Sequence, residues 1–118
     1  MPWKFTPGKL WSPHGNSWPA SSGPWGKGRL PDGIYLIERP VLTREKGMID
    51  NNDLGWKARL VPQFKTERFA LLIHPDGGVA GTMGCIGISQ PLDTRPLYNE
   101  LLHTDDRLLI VDTSPAEN

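Results

Sequence analysis

The sequence predicts one small, mainly β domain with a single short helix and long loops. Thirteen Gly and twelve Pro are spread over the 118 residues, so long uninterrupted helices are disfavoured. Between the resulting turns lie short runs of β-branched, aromatic and leucine residues, a pattern typical of strands. Residues 95–103 instead show leucines at helical spacing. A chain of this length builds one core, so we expect one domain over residues 1–118.

The first 33 residues are predicted to form short strands joined by tight turns. They hold six Gly, six Pro and four of the five Trp, a composition that excludes a continuous helix. The runs Trp3–Thr6 and Lys9–Ser12 flank Pro7-Gly8, which predicts a hairpin. A Pro31-Asp-Gly turn then introduces a strand at Ile34–Ile37.

The rest of the chain alternates strand patterns with loops and the one helix. Residues 43–55 are polar and rich in Gly and Asn, so they predict a long loop or a short irregular helix. Pro96 suits the first turn of the helix, and Asp93 or Thr94 suits its cap. Further strands are predicted at residues 56–62, 68–74, 85–89 and 106–112, followed by a polar tail at 113–118.

Charge and composition exclude several function classes. Basic and acidic side chains balance at thirteen each, so no net field attracts nucleic acid or an anionic membrane. No window reaches the about 18 apolar residues that span a bilayer, and Met1–Phe5 does not begin a signal peptide. We therefore expect a chain synthesised in the cytoplasm, without stable membrane insertion.

Neither a cofactor nor a metal is expected. The segment Gly81–Gly84 lacks the Lys-Ser/Thr of a phosphate-binding loop. His14 and His103 are scattered and are assigned to the surface, so together with one cysteine they offer no metal-ligand spacing. Reactive chemistry is therefore expected from side chains alone.

The candidate reaction centre is a cysteine and a histidine joined by a glycine-rich loop. Cys85 is the only cysteine and follows His74, the end of an apolar run, by eleven residues. If the two side chains meet, His74 takes the thiol proton and Cys85 attacks a carbonyl. A neighbouring imidazolium would lower the thiol pKa from about 8.5. The alternative is an inert buried cysteine beside a histidine at a strand end.

Two further parts of such a centre follow from the same loop. The backbone N–H groups of Met83, Gly84 and Cys85 are candidates to stabilise an oxyanion. The imidazole also needs an orienting partner, for which Asp76, Thr82 or a backbone carbonyl would serve.

Four segments of the chain resemble a known family. The segments Ile73-His-Pro and Gly81-Thr-Met-Gly-Cys-Ile86 resemble the signature of the L,D-transpeptidase (YkuD-type) catalytic domain. Upstream, Ala20-Ser-Ser-Gly23 and Leu30-Pro-Asp-Gly-Ile-Tyr35 resemble that family's Ser-x-Gly segment and Pro-x-Gly-x-Tyr/Phe strand. The resemblance covers about residues 16–90 and implies a β-sandwich.

The resemblance also implies a reaction. Cys85 is the expected nucleophile and His74 the base, with Thr82 and Gly84 matching the Ser/Thr and Gly of the signature. The implied substrates are peptidoglycan stem peptides, which form a thioester through an L-residue carbonyl that precedes a D-residue. An amine acceptor then gives transpeptidation or exchange, whereas water gives L,D-carboxypeptidase or endopeptidase activity.

Two residues depart from the signature. Met83 stands where most members have a second His, and Gly87 stands where Arg often follows the Cys-Ile pair. The loop between His74 and Cys85 is also short. These departures resemble compact phage-borne or secreted members, so we expect a lytic carboxypeptidase or endopeptidase that reaches the cell wall or periplasm after holin-type release or secretion-system delivery. The alternative is a non-catalytic wall-binding or virion structural module.

Candidate substrate-binding residues come from the upstream segments and the strand before His74. These are Ser22, Gly23, Trp25, Tyr35 and Arg68. Arg68 would replace the missing arginine by pairing with a substrate carboxylate, although its alternation within a strand equally suits a solvated face. Trp25 and Tyr35 equally suit the core. We expect a monomer, and a toxin of this kind would have a cognate inhibitor protein.

Overall fold

The chain forms nine β-strands and one α-helix in the computed structural model, which describes residues 1–23, 28–77, 85–89 and 93–114. The mainly β class with one short helix is thus confirmed. In chain order the elements are β1 (Trp3–Thr6), β2 (Lys9–Trp11), β3 (Ser17–Ser21), β4 (Gly33–Ile37), β5 (Val41–Leu42), β6 (Trp56–Pro62), β7 (Leu72–Pro75), β8 (Ile86–Ile88), α1 (Arg95–His103) and β9 (Leu108–Val111).

The strands close into a barrel, whereas the resemblance implied a sandwich. Within the described ranges, eight strands follow one another in the order β4-β9-β1-β2-β3-β8-β7-β6, and β6 pairs again with β4. The closure arises because β4 is bonded along both edges, to β9 and to β6. The two-residue strand β5 follows Pro40 and pairs with the beginning of β6, on the same edge of β6 that β4 occupies further along. Two pairs, β1 with β9 and β7 with β8, are parallel.

Local signals account for several of these elements. Pro7-Gly8 forms the predicted hairpin turn between β1 and β2, and Gly8 has a φ of +92° that suits only a residue without a Cβ. The helix begins at Arg95 with Pro96 in its first turn, as predicted. Thr94 is its N-cap residue, and strand β6 has the predicted bounds.

The strand predicted over residues 68–74 is shorter than expected. It begins only at Leu72 and includes Pro75. Ala70 has a φ of +57°, a left-handed conformation that ends any extended run, and Phe69 is 81% exposed. The apolar run Phe69–Leu71 is therefore partly a loop. The strands predicted at 85–89 and 106–112 likewise shorten to β8 and β9.

The core fills the barrel interior and the contact with the helix. Its largest fully buried side chains are Trp3, Trp56 and Tyr35, and α1 contributes Leu97 and Leu101. Strand β6 alternates as predicted, with Trp56, Ala58 and Leu60 inward. The helix in the described part of the chain is not long and apolar enough to cross a membrane.

Candidate active site

His74 lies on strand β7, and Cys85 immediately precedes the neighbouring parallel strand β8. In the register of β7 and β8, the fully buried Ile73 is opposite Ile86, and His74 is opposite Gly87. Because side chains alternate along a strand, His74 and Gly87 share the outer face of the barrel. Cys85 precedes β8 by one residue, and its Sγ contacts the Ala70 carbonyl just before β7, so the thiol lies at the end of the β7–β8 pair where both strands begin.

Gly87 forms the centre of this face. It is opposite His74 on one side and Ser21 of β3 on the other. The row from His74 to Ser21 thus crosses three strands with no side chain at its middle position. Because Gly87 has no side chain, no side chain of β8 separates His74 of β7 from Ser21 of β3.

The imidazole of His74 is oriented by a backbone carbonyl. Its Nδ1 lies 2.6 Å from the carbonyl oxygen of Pro75. A carbonyl only accepts, so Nδ1 carries the proton and Nε2 is the basic nitrogen of the neutral ring. Of the three orienting partners left open by the sequence, the structure places the backbone carbonyl on the ring, whereas Thr82 lies outside the described residues.

Burial makes His74 a neutral imidazole at neutral pH. The side chain is only 9% exposed, and this desolvation lowers its pKa below the usual 6.5. The Pro75 carbonyl and the negative charges of Asp76 and Glu45 act in the opposite direction. A neutral ring with a free Nε2 can accept a proton, which is the role expected of a general base.

Cys85 is a protonated thiol in the same conditions. Its side chain is partly buried, and its Sγ donates to the carbonyl oxygen of Ala70 at 3.7 Å. Burial raises the thiol pKa above its usual value, while the backbone hydrogen bond of Leu72 and the positive charge of Arg68 lower it. The sequence-based expectation of a lowered thiol pKa is therefore not met, because burial outweighs both favourable contacts and the nearby imidazole is neutral.

Arg68 joins the cysteine side of the site to the loop after β3. Its Nη1 and Nη2 donate to the carbonyl oxygens of Arg29 and Gly28 at 3.3 and 3.4 Å. Its charge also lies close enough to Cys85 to act on the thiol pKa. Both long contacts leave donor capacity on the guanidinium, so Arg68 suits recognition of a carboxylate beside the thiol.

Ser22 and Gly23 shape the loop that Arg68 contacts. The Ser22 Oγ accepts a hydrogen bond from the backbone N–H of Leu30 at 2.8 Å. Gly23 has a φ of +77°, and a Cβ there would lie 2.8 Å from the backbone nitrogen of Arg29, so only glycine fits. Ser21 and Ser22 also line a groove of about 390 Å³ with Phe5, Pro7, Gly8, Ala20, Arg29 and Thr113. Both predicted residues thus act on loop shape, and Ser22 also borders this groove.

Tyr35 belongs to the core and not to a substrate groove. It is fully buried, and its hydroxyl donates to the carbonyl oxygen of Pro31 at 2.5 Å. Its ring meets Phe64 edge to face at 5.3 Å, and desolvation raises its pKa to about 12. This burial leaves Tyr35 no surface for a substrate, so the alternative of a core residue is the one that holds.

Several predicted residues fall on parts of the chain that are not described. Trp25, Thr82, Met83 and Gly84 all lie outside the described residues, and with them two of the three candidate oxyanion donors. Cys85, whose N–H is the third, is described. Over the described ranges, no three His, Cys, Asp or Glu side chains are grouped to hold a metal ion.

Two further residues near His74, Glu45 and Lys57, carry no functional signal in the sequence. Ala58 of β6 is opposite Ile73, so Lys57 is the outward neighbour of His74. Its Nζ bonds Glu45 Oε1 at 2.6 Å. The alternation of β6 indicates that Lys57 points outward, but no local signal connects Glu45, in the 43–55 loop, with the histidine. The loop also approaches at Gly77, where a Cβ would lie 2.7 Å from the Cα of Gly47.

Comparison with known proteins leaves the assignment to the site itself. No protein-family model matches the chain, and no curated protein matches it either.

Proposed function

We propose that the chain is an L,D-transpeptidase-like, cysteine-dependent enzyme that acts on peptidoglycan stem peptides at an L,D bond. The observation that carries the proposal is the Nδ1 contact of His74 with the Pro75 carbonyl, together with the position of Cys85 at the start of the neighbouring strand. The contact leaves Nε2 as a base for the thiol. The segments around both residues resemble the family's signature, and the closed barrel would be this chain's form of a mainly β fold.

The chemistry begins with a proton transfer. The Cys85 proton passes to Nε2 of His74 as Sγ attacks the carbonyl carbon of the L-residue, and the carbonyl oxygen becomes an oxyanion. The backbone N–H of Cys85 is a candidate donor to that oxygen. The carbon–nitrogen bond then breaks, and the leaving amine of the D-residue takes the proton back from His74. The product is a thioester on Cys85.

The thioester is resolved by water or by an amine. His74 removes a proton from the acceptor, which attacks the thioester carbonyl, and the proton returns to the departing Cys85 sulfur. We favour water, because Met83 and Gly87 replace two side chains that would help to position substrates in the resembled family. Arg68 would hold the carboxylate of the departing D-residue through paired N–H groups. The proposed activity is therefore L,D-carboxypeptidase or endopeptidase, with exchange as the variant reaction.

Purified muropeptides provide the test. Wild type is compared with Cys85→Ala and His74→Ala by mass spectrometry, and His14→Ala serves as the control because His14 lies in an exposed loop. Loss of a terminal D-alanine indicates carboxypeptidase, and monomers released from dimers indicate endopeptidase. Gain of a different D-amino acid indicates exchange. Identical product profiles for wild type and Cys85→Ala would exclude an enzymatic role for the cysteine.

One observation favours the non-catalytic alternative. A partly buried thiol with a raised pKa is also what a structural cysteine shows. The two roles differ in whether His74 assists the thiol. If His74 is the base, His74→Ala slows alkylation of Cys85 by iodoacetamide at pH 7. If the module only retains the fold, the two proteins react at the same rate.

A further inference from the structure

An ion pair lies beside the proposed general base without any role in the chemistry above. Lys57 Nζ and Glu45 Oε1 are 2.6 Å apart, with side chains that are 31% and 52% exposed. Pairs this exposed contribute little to stability, so the contact opens easily. Its position matters more than its strength, because Lys57 is the outward neighbour of His74.

The two members of the pair are held very differently. The backbone N–H of Glu45 donates to Thr43 Oγ1 at 3.1 Å, and its carbonyl accepts from the N–H of Met48 at 3.1 Å. The backbone of Glu45 is therefore held in a turn, and its side chain is shorter than that of Lys57. Lys57 reaches the carboxylate on a flexible four-carbon stem, so its ammonium can leave while the carboxylate stays in place.

The charges on the two sides of the catalytic pair are opposite in sign. Arg68 places a cation on the Cys85 side, two residues before the Ala70 carbonyl that the thiol contacts. Glu45 places a carboxylate on the His74 side, where Lys57 now covers it. A substrate with a carboxylate at one end and an ammonium at the other would fit in one orientation only.

We propose that Glu45 is a specificity-determining residue that binds a free primary ammonium of the acyl donor, and that the Lys57 ammonium occupies this place in the free protein. The inference rests on the proposed function and narrows its substrate. The favoured stem peptide carries a free side-chain amine on the residue whose carbonyl is attacked. A stem whose side-chain amine is already acylated in a cross-link is disfavoured.

The test uses two synthetic stem tetrapeptides that differ only in whether the side-chain amine is free or acetylated. Wild type should turn over the free amine with a kcat/KM about tenfold higher, a ratio expected for one charged hydrogen bond. Glu45→Gln should lower kcat/KM about tenfold for the free amine and leave the acetylated peptide unchanged. Equal losses on both peptides, or no wild-type preference, would overturn the inference.

A binding measurement separates this inference from the proposed reaction. Calorimetric titration of the Cys85→Ala protein with both peptides reports recognition whether or not the wild type is an enzyme. The inference predicts tighter binding of the free amine, a preference removed by Glu45→Gln and increased by Lys57→Met, which vacates the carboxylate. Equal affinities overturn it. Asp53→Asn is the matched control, since Asp53 pairs with Arg44 at 2.6 Å in the same loop and should alter neither peptide.

Discussion

The buried carboxylate of Asp50 organises the loop that carries Glu45, and its replacement by asparagine gives the sharpest stability prediction. Asp50 is 9% exposed. Its Oδ1 accepts the N–H groups of Asn52 and Leu54 at 2.8 and 2.9 Å, and its Oδ2 accepts the N–H and Oγ1–H of Thr94, both at 2.7 Å. Trp56 Nε1 in turn donates to Thr94 Oγ1 at 2.8 Å. One side chain thus ties the loop to α1 and β6.

Asp50→Asn retains the shape of the side chain but not its acceptors. The amide oxygen can serve only one pair of donors, and the NH₂ group then faces the other pair. Two hydrogen bonds to a charged acceptor are lost, each contributing about 1.5–3 kcal/mol. Removal of the buried charge offsets part of this loss. We expect the free energy of unfolding to fall by about 2–4 kcal/mol at pH 7.

The loss should depend on pH. Burial alone would raise the pKa of Asp50, but the hydrogen bonds from Thr94, Leu54 and Asn52 outweigh it and hold the pKa below 3.8. A carboxyl with a lowered folded-state pKa stabilises the protein above its unfolded-state pKa. That stabilisation is lost as the pH falls through the folded-state value. The difference between wild type and Asp50→Asn should therefore shrink below about pH 4.

Guanidinium unfolding followed by tryptophan fluorescence at pH 7 and pH 3 measures both effects. Asp53→Asn is the control in the same loop, because its carboxylate is exposed and should change stability by less than about 0.5 kcal/mol. A loss below about 1 kcal/mol at pH 7, or an equal loss at pH 3, would refute the assignment of the four hydrogen bonds to a charged acceptor.

Three further predictions follow from the site and its supports. The rate of Cys85 alkylation at neutral pH should be retained until the pH falls below 6.5, where His74 gains a proton. The rate should rise above pH 9, as the thiolate forms. A fall in the rate that begins above pH 7 would contradict the buried neutral base. Gly23→Ala should lower stability by about 2 kcal/mol in thermal unfolding, since its left-handed φ disfavours a Cβ that also clashes. Tyr35→Phe should lower the free energy of unfolding by about 1 kcal/mol, because the hydrogen bond to Pro31 is lost. It should also abolish the loss of stability that wild type shows as the pH rises from 10 to 12. An unchanged alkaline loss of stability would assign that titration to another group.

Elements with strong local signals could be predicted from the sequence. Helix α1 combines Pro96 in its first turn with inward Leu97 and Leu101, and both are determined within one short segment. Strand β6 alternates inward and outward over its whole length, so its bounds follow from the pattern. These elements need no information from distant residues.

Barrel closure could not be predicted in the same way. It depends on β4 pairing with both β9 and β6, contacts between segments far apart in the chain. In β4 the side chains of Tyr35 and Ile37 point inward, and this alternation suits either a sandwich or a barrel. The loop conformation of Ala70 is equally hidden, because alanine gives no signal for a positive φ.

The sequence could propose His74 and Cys85 as a candidate pair, but it could not predict their electrostatic state. A strand-end His74 and a Cys85 after glycines indicate a site by residue type. Their burial depends on the surrounding loops, and burial is what lowers the pKa of His74 and raises that of Cys85. The contribution of Glu45 comes from a loop some thirty residues earlier in the chain, which no local pattern connects to the histidine.

The pKa shifts on the two side chains constrain how the proposed reaction starts. The usual pKa of a thiol is higher than that of an imidazole, so the proton stays on sulfur, and burial widens this difference in pKa. A standing thiolate–imidazolium pair is therefore unfavourable in the free protein. The proton must move to His74 as Sγ attacks, when the negative charge passes from sulfur to the carbonyl oxygen. Exchange of the Lys57 ammonium for a substrate ammonium at Glu45 would keep a cation paired with that carboxylate, which lies on the His74 side of the site.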